Sequence, residues 1–174
     1  MFIALTVMIA LSGCAKIDDP SADNDEADKH PDQEIWGGKI EVTDNGVLKS
    51  VVQAGYMQYF EQERLTLLDS GVVVDFYNSK GEHSSVLTSR QAKIDERIDI
   101  FVALGNVVVT SDSGEILKTE RLYWDKELKR IKSDTLAILL TELDSLRGYD
   151  FESDENLTDW ILKNPTGQTM RRQE

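Results

Sequence analysis

Cys14 is the only cysteine in a chain of 174 residues, and its surroundings give its thiol one evident chemistry. An apolar run from Phe2 leads into Leu11-Ser12-Gly13-Cys14, so small residues immediately precede the cysteine. That order is the pattern of a bacterial lipoprotein signal peptide. Cleavage before Cys14 would leave the thiol to carry diacylglycerol and free an amino group for acylation. The run is too short to span a bilayer, which takes about 20 apolar residues. Anchoring by several acyl chains is strong, because each buried methylene contributes about 0.8 kcal/mol and two chains suffice for stable attachment.

Other reactive groupings are hard to find. His30 falls in an acidic stretch and His83 in a hairpin turn, and neither has a second histidine or a cysteine at ligand spacing. No metal site and no cofactor is therefore expected. The abundant carboxylates fall in turns or alternate outward along strands, as on a solvated face. No nucleophile elbow, phosphate-binding glycine loop or dinucleotide turn occurs. The expectation is a protein without catalytic residues. With 32 acidic and 19 basic residues, the formal charge of −13 repels nucleic acid.

The elements around Cys14 divide the chain into a signal (residues 1–13), a linker (14–37), a β domain (38–165) and a frayed tail (166–174). Between Ala15 and Glu34 the acids are Asp18, Asp19, Asp23, Asp25, Glu26, Asp28, Asp32 and Glu34, against Lys16 and Lys29. Such a stretch buries too little apolar surface to offset its chain entropy, so an extended tether is expected. From Gly38 onward, runs of Val, Ile, Leu, Tyr and Thr alternate with turn signals at Asp44-Asn45-Gly46, Asp69-Ser70-Gly71, Asn78-Ser79-Lys80-Gly81, Gly105-Asn106 and Asp112-Ser113-Gly114. This spacing predicts antiparallel strands joined by hairpins. Glu61 to Leu68 could form one helical turn, with a strand the better fit.

The chain also repeats itself. Leu87-Thr88-Ser89-Arg90-Gln91-Ala92-Lys93-Ile94-Asp95 can be laid over Leu117-Lys118-Thr119-Glu120-Arg121-Leu122-Tyr123-Trp124-Asp125, and each block follows a glycine turn at Gly81 or Gly114. A β unit that cannot bury its own face must stack on its copies, which predicts an elongated, twisted structure.

The segment from Gly105-Asn106-Val107 through Asp112-Ser113-Gly114 and Leu117-Lys118-Thr119 to Leu122-Tyr123-Trp124-Asp125 resembles the signature of the OstA-like fold of lipopolysaccharide export. With the cysteine motif and the tail from Gly148 to Pro165, the whole chain resembles lipoprotein forms of the LptC family. The resemblance implies an all-β fold, a twisted, elongated antiparallel β-jellyroll. It implies a non-enzymatic subunit that receives lipopolysaccharide from the LptB2FG transporter at its N-terminal edge and passes it to LptA at its C-terminal edge. Familiar members hold the membrane with a helix; here a lipid at Cys14 would replace it, with the periplasmic face of the inner membrane the expected location.

The apolar groove implied for acyl chains is assigned to Ile94, Ile98, Ile100, Val102, Val107, Val109, Leu122, Trp124, Leu136, Ile138 and Leu140. Plain core packing explains the same side chains equally well. The C-terminal contact is open between a strand near Ile131 to Leu140 and one near Trp160 to Leu162. The competing readings are a lipid-anchored scaffold with a closed core and an LptA-like bridge component.

Overall fold

Bends within the strands decide the architecture. In the computed structural model, which describes residues 30–169, the chain opens with β1 (Gln33–Asp44), β2 (Val47–Phe60) and β3 (Leu65–Tyr77). There follow β4 (His83–Ser89), β5 (Gln91–Asp95), β6 (Ile100–Ser111) and β7 (Ile116–Asp125). The last four are β8 (Arg130–Ser133), β9 (Ala137–Leu140), β10 (Asp144–Asp154) and β11 (Trp160–Thr169). All belong to one antiparallel sheet, and among the described residues there is no helix. Glu61 to Arg64 is a turn and Leu65 begins a strand.

Both β3 and β6 pair with β5 along one half and with β4 along the other. In the same way, β7 and β10 pair with β8 and β9. Thus β4–β5 and β8–β9 are each one strand broken at a corner, and the single sheet folds over itself into two layers. One layer contains β5, β8 and the halves paired to them; the other contains β4, β9 and theirs. The result is the expected elongated β-jellyroll, with its core between the layers.

The corners obey a simple rule. On strands crossing towards the β5 layer, inward residues step by three, from Ala54 to Met57, Ser89 to Ala92, Thr119 to Leu122 and Gly148 to Phe151. On strands returning, they step by four, from Leu68 to Val72, Ala103 to Val107 and Ser133 to Ala137. The extra residue is a bulge, as where Gly105 and Asn106 together oppose Glu120 between the β6–β7 pairs Leu104–Arg121 and Val107–Thr119. One strand out and one strand back is the physical basis of the sequence repeat. Leu87 and Leu117 are both fully buried, and Ser89 and Thr119 occupy equivalent corners.

Ladder bonds are interrupted at a corner, and hydroxyls replace them. Ser89 Oγ donates to the Gln91 carbonyl at 3.0 Å. Thr119 Oγ1 lies 2.8 Å from both the Ser133 and Thr135 hydroxyls and 3.1 Å from the Leu136 carbonyl. Two glycines are required by geometry. Gly105 has φ of +75°, where a side chain is strained, and a Cβ on Gly55 would stand 2.6 Å from the Ser70 carbonyl oxygen.

Several sequence boundaries move. β1 begins at Gln33, so the domain starts ahead of Gly38 and Glu34 belongs to a strand. The Asp69-Ser70-Gly71 and Gly105-Asn106 signals are corners inside β3 and β6 rather than hairpin turns, with φ of 62°, 86°, 75° and 50° at Ser70, Gly71, Gly105 and Asn106. β11 continues through Thr169 where a frayed tail from residue 166 was expected. It does so because it pairs along β10, with Asn164 and Pro165 in a bulge that relieves proline of its missing donor. Cys14, the signal and most of the acidic linker lie outside the described residues.

Candidate functional site

The interior between the layers is where an apolar ligand could be sheltered. Its lining comes from both layers: Val109, Leu117 and Leu139 on one side, Phe101, Leu122 and Trp124 on the other, each at most 4% exposed. Trp124, the penultimate residue of β7, stands edge-on to Phe76 at 4.8 Å between centroids and to Phe101 at 6.1 Å.

The expected groove residues divide into two groups. Ile94, Val107, Val109, Leu122 and Trp124 point inward as read. Ile98, Ile100, Val102, Leu136, Ile138 and Leu140 do not. Ile98 lies in the β5–β6 turn at 62% exposure, and Leu136 is 43% exposed at the β8–β9 corner. Ile100 and Val102 on β6, and Ile138 and Leu140 on β9, occupy the half-buried outer face. The cause is a one-residue error of phase. Both faces of these strands are apolar, so bulk alone favoured Ile100 and Val102, whereas the inward set is Phe101, Ala103, Ala137 and Leu139.

Sequence reasoning also passed over Phe76, Phe101 and Phe151, which are among the largest fully buried side chains. A signal existed for Phe76, which keeps phase with Val72 and Val74. His83 is not a turn residue but heads β4, with Nδ1 2.9 Å from the Asp112 carboxylate and Nε2 3.6 Å from that of Asp75. Among the described residues no cluster of histidines, cysteines and acids could hold a metal ion.

Opposite the corners, the hairpins of the two layers face each other across a seam. A cavity of about 400 Å³ opens there between the β1–β2 and β3–β4 turns on one side and the β7–β8 and β10–β11 turns on the other. Trp124 lines it together with Val42 and Tyr77, and the indole Nε1–H donates to Glu155 Oε1 at 2.7 Å. Burial pushes the Glu155 carboxyl up, against the pull of that hydrogen bond and of Lys129. The β10–β11 turn is tucked into the seam: Leu157 is 1% exposed, and Ser85 Oγ on β4 donates to the Glu155 carbonyl at 2.9 Å.

The sheet ends at two open edges. β1 pairs only with β2, and β11 only with β10. β8 and β9 are bonded on both sides, so of the two C-terminal candidates only the strand containing Trp160 to Leu162 offers free backbone groups. Both edges display apolar side chains, Ile35 and Trp36 on β1 and Ile161 on β11, exposed by 46%, 71% and 58%. Trp36 leans on Tyr56, whose hydroxyl donates to the Glu34 carboxylate. Unpaired edges of this kind accept a partner strand through main-chain bonds.

A two-layer sheet with an apolar interior and paired free edges is the arrangement in which a known family can be sought. A family model described as LptC, lipopolysaccharide-assembly, LptC-related, matches residues 1–154. The chain belongs to the LptC-related family. Membership ties it to lipopolysaccharide export. The match takes in β1 to β10, leaving β11 beyond its end. No curated protein sequence matches the chain. Among the described residues of this LptC-related chain, no helix is long and apolar enough to cross a membrane.

Proposed function

We propose that this chain is a lipid-anchored periplasmic subunit of lipopolysaccharide export that shelters acyl chains between its two layers. It takes lipopolysaccharide from the LptB2FG transporter at the β1 edge and hands it to LptA at the β11 edge, while Cys14 carries the membrane anchor. The observation that carries the reading is the two-layer apolar interior with a seam opening at Trp124, bounded at each end by an unpaired strand. Acyl chains entering such an interior leave water, with a gain of about 25 cal/mol per Å² of apolar surface. Energy for extraction comes from ATP hydrolysis on another subunit.

One observation favours a different reading. Leu117, Leu122 and Leu139 have no exposed surface, which suits a lipid-anchored scaffold with a closed core. A photo-crosslinking amino acid at position 124 or 109 separates the two in living cells. An irradiation-dependent lipopolysaccharide adduct that disappears when transporter ATP hydrolysis is blocked is the result expected of the relay. No adduct at either position would leave the scaffold as the function.

A further inference from the structure

Several basic side chains elsewhere in this acidic chain are engaged by carboxylates: Arg97 with Asp95, Arg130 with Glu152 and Asp159, Lys132 with Glu152. Lys49, Lys126 and Lys129 line the seam cavity together, and among the described residues none has a carboxylate within ion-pair distance. The acids at the same opening are Asp44 and Glu155. Three ammonium groups around one cavity repel one another, and a chain of formal charge −13 had many carboxylates with which to pair them. The three lysines instead line an opening that they share with Trp124, Val42 and Tyr77.

We propose that the seam cavity is a phosphate site for an amphiphile, with Lys49, Lys126 and Lys129 holding the phosphorylated headgroup while its acyl chain passes Trp124 into the interior. Glu155 then acts as the resident anion. Its carboxylate takes the indole N–H of Trp124 and sits within the field of Lys129 and Lys49, the interactions an incoming phosphate would take over. A phosphate carries more charge and more acceptor oxygens than a carboxylate, so it competes well for the same donors. The inference rests on the lipid-relay reading and adds to it the chemistry of headgroup recognition.

The test measures binding of the full chain, in mixed micelles, to biphosphorylated lipid A, to the same lipid stripped of phosphate, and to inorganic pyrophosphate. For K49Q/K126Q/K129Q the affinity for biphosphorylated lipid A is expected to fall roughly tenfold or more, as loss of charge-assisted hydrogen bonds requires. Affinity for the stripped lipid should be unchanged, and E155Q should bind the biphosphorylated lipid more tightly than the native chain. Equal losses for both lipids, or no loss for either, would overturn the headgroup site. Lysine-dependent capture of pyrophosphate with no preference between the lipids would overturn it in favour of a free-phosphate site. A native chain that binds neither lipid fails at the relay reading itself, and a native chain that binds both alike fails only at the phosphate site. Matching thermal unfolding of the variants, with K129Q alone at an exposed turn, guards against a folding defect.

Discussion

The ring of Phe76 stands edge-on to the indole of Trp124, centroids 4.8 Å apart at 85°. The two residues belong to β3 and β7, strands that do not pair, so this contact joins the layers by packing alone. Perpendicular aromatic pairs add about 0.5–1.5 kcal/mol beyond their buried area. Truncating Trp124 to alanine should destabilise the fold by about 3–5 kcal/mol, and F76A by a similar amount. Urea unfolding of the single and double variants checks this, and the double should cost less than the two singles summed.

The corners make a second expectation. At Gly105 a new Cβ meets only the guanidinium end of Arg90, which can swing aside, so G105A should cost about 1–2 kcal/mol from its positive φ. At Gly55 the obstacle is the Ser70 backbone carbonyl at 2.6 Å, which cannot move without shifting β3. G55A should therefore be the more destabilising of the two, although alanine suits its φ better. Thermal unfolding of both variants ranks them.

Acid should act through Asp95. Its carboxylate accepts from Arg97 Nε at 3.0 Å and Nη2 at 2.8 Å, and the Arg97 hydrogen bonds hold its pKa down to about 2. A depressed carboxylate contributes stability that is fully present above its ordinary pKa, near 3.8, and lost as pH falls through about 2. D95N should be less stable than the native chain at neutral pH and lose less on acidification between pH 4 and 2. Stability measured against pH for both chains would show the curves converge; parallel curves would sink the assignment.

On the proposed docking scheme, the two edges should fail independently. Trp36 and Ile161 are exposed, so W36E and I161E should leave thermal stability nearly unchanged. W36E is expected to weaken co-purification with the transporter, and I161E that with LptA. Loss of both partners from either variant would contradict edge-specific docking.

Fold class was legible because it depends on local signals that survive without neighbours. Turn residues, β-branched runs and a repeat whose two copies both put leucine inside (Leu87 and Leu117) and a hydroxyl at the corner (Ser89 and Thr119) gave the antiparallel stack. The inward phase was legible where a strand has one apolar face, as at Leu122 and Trp124. It was not legible in β6 and β9, where Ile100 and Ile138 offered an outer face as apolar as the inner one. The seam escaped detection for another reason: Lys49, Lys126, Lys129 and Glu155 come from three separate hairpins.

By itself, then, the sequence determined the chain's acidic balance, its β character, its stacked repeat and its family resemblance, because each is a matter of residue type and spacing. Tertiary structure decided which residues face inward, since the three-residue steps from Ala54 to Met57, Ser89 to Ala92, Thr119 to Leu122 and Gly148 to Phe151 shift the alternation, whereas the four-residue step from Ala103 to Val107 in β6 preserves it. It also decided which strand is the C-terminal edge. Whether backbone groups are free depends on neighbours, and only folding places β8 and β9 between β7 and β10 while leaving β11 paired on one side.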